Sequence, residues 1–121
     1  MDQIIPHLFI ARIDESFKWR GKVINVSRED IRHENVSNFP LNPSNPNREM
    51  FLEAVEKAAQ ELEKGKDVTV VCRQGVSRSA SVGVGALIKK ESLTLREALR
   101  WMELEHPETN PSENMLGLLK K

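Results

Sequence analysis

The stretch "DVTVVCRQGVSRSASVGVGALIKK", residues 67–90, decides how the chain is read. Its first part, "DVTVVC", is continuously apolar after Thr69, the pattern of a strand buried in the middle of a parallel sheet. From Arg78 onward it reads as a helix despite Gly83 and Gly85. Each of those glycines costs about 1 kcal/mol relative to alanine in a helix interior, so close packing against the sheet is the expected compensation. A short loop containing Gly75 joins the two parts. The chain's only cysteine, Cys72, ends the strand directly after Val71, and Arg78 and Ser79 open the helix.

Working outward, "LFIA" (8–11) and "KVINV" (22–26) read as strands and "VSNFPL" (36–41) as a third extended piece. The prolines of "NPSNPN" (42–47) forbid regular structure there. Residues 48–64 form a predicted helix that Asn47 can cap and Gly65 can stop, with Phe51, Val55, Ala58, Ala59 and Leu62 on one face. The charged side of that helix reads as a solvated face. Thr94 and Glu97 spell a capping box for a further helix. The last helix is expected to start at "NPSE", with Asn110 as cap, Pro111 at the first helical position and Glu113 closing a box. Strands alternating with helices predict an α/β domain with a mainly parallel sheet of about four to five strands flanked by helices. The 121 residues suffice for one such domain, 1–121.

Composition narrows the function. The 18 basic and 18 acidic side chains cancel, so no global field favours nucleic acid or a membrane surface, and neither is expected as a partner. One cysteine fits a reducing compartment. "MDQIIPHLFIARIDE" has neither a basic lead nor a long apolar run, so no signal peptide is read and a cytoplasmic location is expected. Metal sites and cofactors are not expected: His7, His33 and His106 are scattered, and a single thiol makes zinc improbable. Gly83-x-Gly85 lacks the third glycine of a dinucleotide loop and lies inside a helix, and there is no G-K-[ST] nucleotide loop. His106 before Pro107 marks a helix end, while Trp19 and Trp101 read as packing residues.

The chemistry therefore concentrates between strand and helix. In a parallel α/β sheet ligands bind beyond the carboxyl ends of the strands, where Cys72 lies. Backbone amides of a tight loop, reinforced by a helix N-terminus, form an anion nest. Arg78 adds a planar fork that can hold two phosphoryl oxygens. A cysteine in such a nest is expected to be held as the thiolate, a nucleophile aimed at phosphorus. Ser79 can donate a hydrogen bond to the sulfur and help it leave. The plainer alternatives are a buried core thiol for Cys72 and a helix-surface position for Arg78. An arginine in a first helical turn opposes the helix dipole, however, which favours an anionic partner.

"CRQGVSRS" resembles the C-x5-R signature of the cysteine-dependent protein tyrosine phosphatases, most closely the dual-specificity branch. The likeness extends over nearly the whole chain, from "IPHLFIARIDE" to the helical second half, and implies a protein tyrosine phosphatase-like fold of minimal size. It implies Cys72 as nucleophile, Arg78 as phosphate clamp and Ser79 as leaving-group assistant. The cradle would be Arg73, Gln74, Gly75, Val76, Ser77 and Arg78. The substrate implied is a phosphorylated protein, on phosphotyrosine and other phosphoresidues, or a small phosphomonoester, met by a monomer with a shallow pocket.

Two positions depart from the family pattern. Val71 stands where the family has a histidine, and its presence is expected to loosen the loop or make the thiol harder to ionise. The family's general acid, an aspartate some thirty residues before the cysteine, has no counterpart: Asn42 or Pro43 occupies the place, and no Asp or Glu lies between Glu34 and Glu49. Asp30, Glu29 and Glu34, on the loop after the second strand, are the candidate stand-ins. The rival reading is a pseudophosphatase that binds phosphoproteins without turnover. The same chemistry on RNA 5′ ends or phosphoinositides ranks lower, because Arg73 is the only basic loop residue besides Arg78.

Overall fold

The computed structural model describes residues 1–120; Lys121, the last residue of the expected domain, lies outside them. Five strands, β1 (Asp2–Ile5), β2 (Leu8–Arg12), β3 (Lys22–Asn25), β4 (Val36–Asn38) and β5 (Val68–Cys72), form one sheet in the order β1-β2-β5-β3-β4. All neighbours are parallel except β1 with β2, a hairpin. Among the described residues a short 3-10 helix (Ile13–Lys18) follows β2, and there are four α-helices: α1 (Arg48–Glu63), α2 (Arg78–Glu91), α3 (Leu95–Glu105) and α4 (Glu113–Leu119).

The apolar strand "DVTVVC" is the central one, as its composition requires, and all five residues of β5 are buried. Alternation sends Val68, Val70 and Cys72 to one side, into a core shared with all four helices. Thr69 and Val71 face the other side. There Val71 packs with Ala11 and Val23, partly roofed by Met1, Trp19 and Val36. Thr69 is satisfied by Arg20, its hydroxyl accepting from the Arg20 amide and donating to the Arg20 carbonyl, each at 2.8 Å. Trp19 donates its indole N–H to the Arg12 carbonyl and Trp101 donates to Ile4, so both tryptophans tie down strand ends. Val71 is therefore a packing residue of the thin side of the sheet.

The caps follow the sequence with one exception. Asn47 accepts from the Met50 amide at the start of α1, and Thr94 and Glu97 form their reciprocal box at α3. That box holds the Glu97 carboxyl below its ordinary range, chiefly through the Thr94 backbone N–H. The exception is α4, which is capped by Ser112 rather than Asn110 and begins at Glu113. The segment before it is tied to the rest of the fold, Asn110 N–H donating to the Val76 carbonyl and Ser112 N–H to the Ser81 hydroxyl.

Gly83 and Gly85 are explained by contact on two fronts. A Cβ at Gly83 would lie 2.9 Å from Ile10 Cδ1 of the sheet and 2.7 Å from Met102 Cε of α3. One at Gly85 would lie 2.7 and 2.9 Å from the two methyls of Val55 on α1. The Met102 end can swing aside, but Val55 is fully buried and stiff at χ1. Gly85→Ala is therefore expected to lower stability by up to about 2 kcal/mol, because an overpacking cost of about 1–3 kcal/mol is set against a gain of about 1 kcal/mol in helix propensity. Denaturant midpoints check this; a more stable Gly85→Ala protein would contradict the close α1–α2 packing.

Candidate active site

Parallel register brings Cys72 level with Arg12, at the carboxyl edge of the sheet. The chain then turns through residues 73–77 and enters α2 at Arg78. Gly75 takes φ +70°, and a Cβ there would crowd the Ala11 backbone and Arg12 Cγ at 3.2 Å, so the turn needs glycine. Turned this way, the Gly75 amide donates to Cys72 Sγ at 3.2 Å, and Ser79 Oγ lies 3.1 Å from the same sulfur. Both Cys72 and Ser79 are buried. Burial alone would suit an inert core thiol. The Gly75 N–H on the sulfur, with a hydroxyl able to donate beside it, does not, because both stabilise negative charge there when the thiol ionises.

The outer side of the loop is braced through its carbonyls. Gly75 C=O accepts from His106 Nε2 at 2.6 Å, and Val76 C=O from the Asn110 amide at 2.7 Å. Ser77 C=O accepts from the Ser81 hydroxyl at 2.7 Å and the Ser81 amide at 2.9 Å. In a trans peptide the carbonyl of one residue and the N–H of the next point in opposite directions. Holding these carbonyls therefore turns the amides of Val76, Ser77 and Arg78 away from the brace. With the N-terminus of α2, this is the arrangement of donors that an anion nest requires. The Arg78 guanidinium is steadied by the Leu41 carbonyl, 3.3 Å from Nη1.

The three candidate acids separate. Glu29 accepts from Arg73 Nη1 at 3.3 Å, which puts its carboxylate at the rim of the loop. That position is fixed by amide side chains below it. Fully buried Asn25 donates to the Glu29 carbonyl and to Asn38 Oδ1, and Asn38 in turn bonds both backbone groups of Ile31. Asp30 pairs with Arg32 in solvent. Glu34 does not belong with the site. The chain has crossed to the opposite sheet edge by then: Asn35 accepts from Val23 near the start of β3, and Val36 pairs with Val23, which lies level with Thr69. The loop after β3 begins at the carboxyl edge but must end at the amino edge to feed a parallel strand, and Glu34 is at its far end.

The "LNPSNPN" segment lies beside Arg78 through buried Leu41. It is pinned to the start of α4, where Ser112 Oγ and Asn114 Nδ2 donate to the Pro43 carbonyl and Asn114 Nδ2 also to that of Ser44. Asp2, Ser112 and Asn114 carry no legible signal in the sequence and His106 reads only as a helix end, since each acts on a residue far along the chain.

A family model, "Dual specificity phosphatase, catalytic domain", matches residues 13–121. The chain belongs to that family. Human dual specificity protein phosphatase 16 is 26% identical over 97% of this chain, which spans only 20% of that protein's length. The solved structure of human DUSP28 superposes with a TM-score of 0.80 at 20% identity, covering 98% of this chain and 92% of that one. A human tyrosine phosphatase-like serine/threonine/tyrosine-interacting protein gives 0.75 at 19% identity, covering 98% and 92%. These likenesses establish the fold. Among the described residues no helix is long and apolar enough to cross a membrane.

Proposed function

We propose that this domain hydrolyses phosphomonoesters through a phosphoryl group carried on Cys72. The thiolate attacks phosphorus, the P–S bond forms as the P–O bond to the leaving group breaks, and water then cleaves P–S to release phosphate. Arg78 and the loop amides other than that of Gly75, whose N–H is on the sulfur, hold the non-bridging oxygens within the cradle 73–78, and Ser79 donates to the sulfur as it departs. The observation that carries this reading is the convergence of Gly75 N–H and Ser79 Oγ on Cys72 Sγ, at a strand-to-helix turn whose Gly75, Val76 and Ser77 carbonyls are engaged from outside. The substrates are phosphorylated residues of proteins, phosphotyrosine foremost. A monomer in a reducing, cytoplasmic setting suits a lone thiol that must stay free.

A second reading, a phosphoprotein-binding domain with little turnover, is favoured by one observation. The segment beside Arg78 carries no carboxylate, since no Asp or Glu lies between Glu34 and Glu49. Acid quenching during turnover of para-nitrophenyl phosphate separates the two. Hydrolysis through Cys72 predicts a burst of para-nitrophenol equal to the enzyme and a phosphate adduct on the Cys72 peptide by mass spectrometry. Binding of the ester with neither burst nor adduct would sink the enzymatic reading.

A further inference from the structure

His106 ends α3 and is only 6% exposed, with both ring nitrogens engaged at 2.6 Å. Nε2 meets the Gly75 carbonyl and Nδ1 meets the Asp2 carboxylate of β1. A carbonyl and a carboxylate oxygen both only accept. Satisfying both contacts at this distance therefore takes two N–H donors, which the ring has only as the imidazolium, and both bonds are then charge-assisted. Take one proton away and the charged Asp2 carboxylate, the stronger acceptor, keeps the remaining N–H on Nδ1, so that a bare Nε2 lone pair faces the Gly75 carbonyl.

We propose that His106, oriented by Asp2, is a positioning residue for the phosphate loop that works only in its doubly protonated form. Its grip on the Gly75 carbonyl sets the peptide whose other end is the Val76 amide, one donor of the nest. The loop is thus held in its anion-receiving form at low pH, and the hold is lost as pH rises through the titration of the ring. This rests on the anion-cradle reading of the loop given above.

The other charged groups around the ring are Asp2 on β1, Arg12 on β2, Glu15 in the turn that follows, Glu108 on the segment after α3, and the Met1 amine. The phosphate loop contributes only uncharged Gln74 and Gly75 to that hollow. Burial would push the Glu15 carboxyl up, but hydrogen bonds from the Met1 ammonium and the Arg12 amide hold it down at about 2, so it stays an anion. Carboxylates and guanidinium groups ordinarily keep their charge between about pH 5 and 8, the range in which histidine changes its own. A His106 variant separates the ring from the Met1 amine.

The test is sulfate binding by calorimetry against pH in Cys72→Ser protein. Sulfate remains a dianion throughout, and the serine removes the thiol's own titration. The expected result is affinity about tenfold weaker on the basic side, the worth of one charge-assisted hydrogen bond. In His106→Gln, whose amide can still donate to Gly75, the pH dependence should vanish. In Asp2→Asn, which no longer favours the cation, the fall-off should move to lower pH. A purely structural histidine would change stability without reshaping this profile. A flat profile with the native histidine, or an unchanged one in His106→Gln, overturns the proposal. No sulfate binding at any pH overturns the cradle reading as well, and a failed phosphocysteine trap would accompany it.

Discussion

Cys72→Ser is expected to lower kcat on para-nitrophenyl phosphate by more than about 10³-fold while leaving the thermal midpoint nearly unchanged. The two consequences come from different properties of the same atom. As an acceptor, a serine oxygen can keep the Gly75 N–H and the Ser79 hydroxyl that now meet the sulfur. The loop should therefore stay closed around it, and sulfate affinity should persist. As a nucleophile, the hydroxyl is un-ionised near neutrality and no histidine is placed to take its proton, since His106 contacts the loop through Gly75 on its outer side. The loss should thus fall on kcat rather than on substrate binding. Residual turnover within tenfold of the native protein would mean that another group performs the chemistry. A collapse of the midpoint would mean that Cys72 is mainly a core residue.

How far this site could be read from the sequence depends on how local its causes are. The β5–loop–α2 unit was legible because the apolar run, the glycine and the helix start all lie within residues 67–90. The cost of Gly83 and Gly85 was also legible, but the reason for Gly85 was not, because Val55 belongs to another helix. Strand β1 was missed. It is four residues long and pairs with β2 across a turn that uses His7 at φ +77°, a residue that carries no strong turn signal. Asn110 has the local marks of a cap, but the hydroxyl of Ser112 accepts from the Met115 amide and caps α4, while the Asn110 amide serves Val76. His106 was read as a helix end, which it is. Its second role depends on partners 31 and 104 positions away, beyond any local pattern. Val71 was read as a departure that should weaken the loop. In the fold its side chain serves the thin face of the sheet, while the loop is braced from residues 106–110 and from Ser81.

Asn42→Asp is expected to raise kcat/KM on phosphoserine and phosphothreonine esters by roughly 10- to 10²-fold, with little gain on aryl phosphates of acidic phenols. General acid assistance is typically worth about 10²- to 10⁴-fold, and a new carboxyl not tuned by its surroundings should deliver the lower part of that. The position is favourable because the backbone is already fixed around it. Leu41, just before, is buried, and its carbonyl contacts the Arg78 guanidinium. Pro43 and Ser44, just after, are held by Ser112 and Asn114. Asn42 Oδ1 accepts from the Ser44 amide at 2.9 Å, a turn that aspartate can keep with one oxygen while the other carries the proton. Because the carboxyl must be protonated to act, the gain should be largest at low pH and disappear as pH rises. That new basic limb should appear only with poor leaving groups, whereas a limb due to His106 would appear with every substrate. Glu29 supplies the control. Its exposed pairing with Arg73 makes its carboxylate an acceptor, so Glu29→Gln should change either substrate class by less than about fivefold. Selective slowing of phosphoserine turnover in Glu29→Gln would identify Glu29 as the acid and remove the case for a missing one. If neither variant alters the dependence on leaving group, proton delivery does not limit the rate, and the weight moves to phosphoprotein binding.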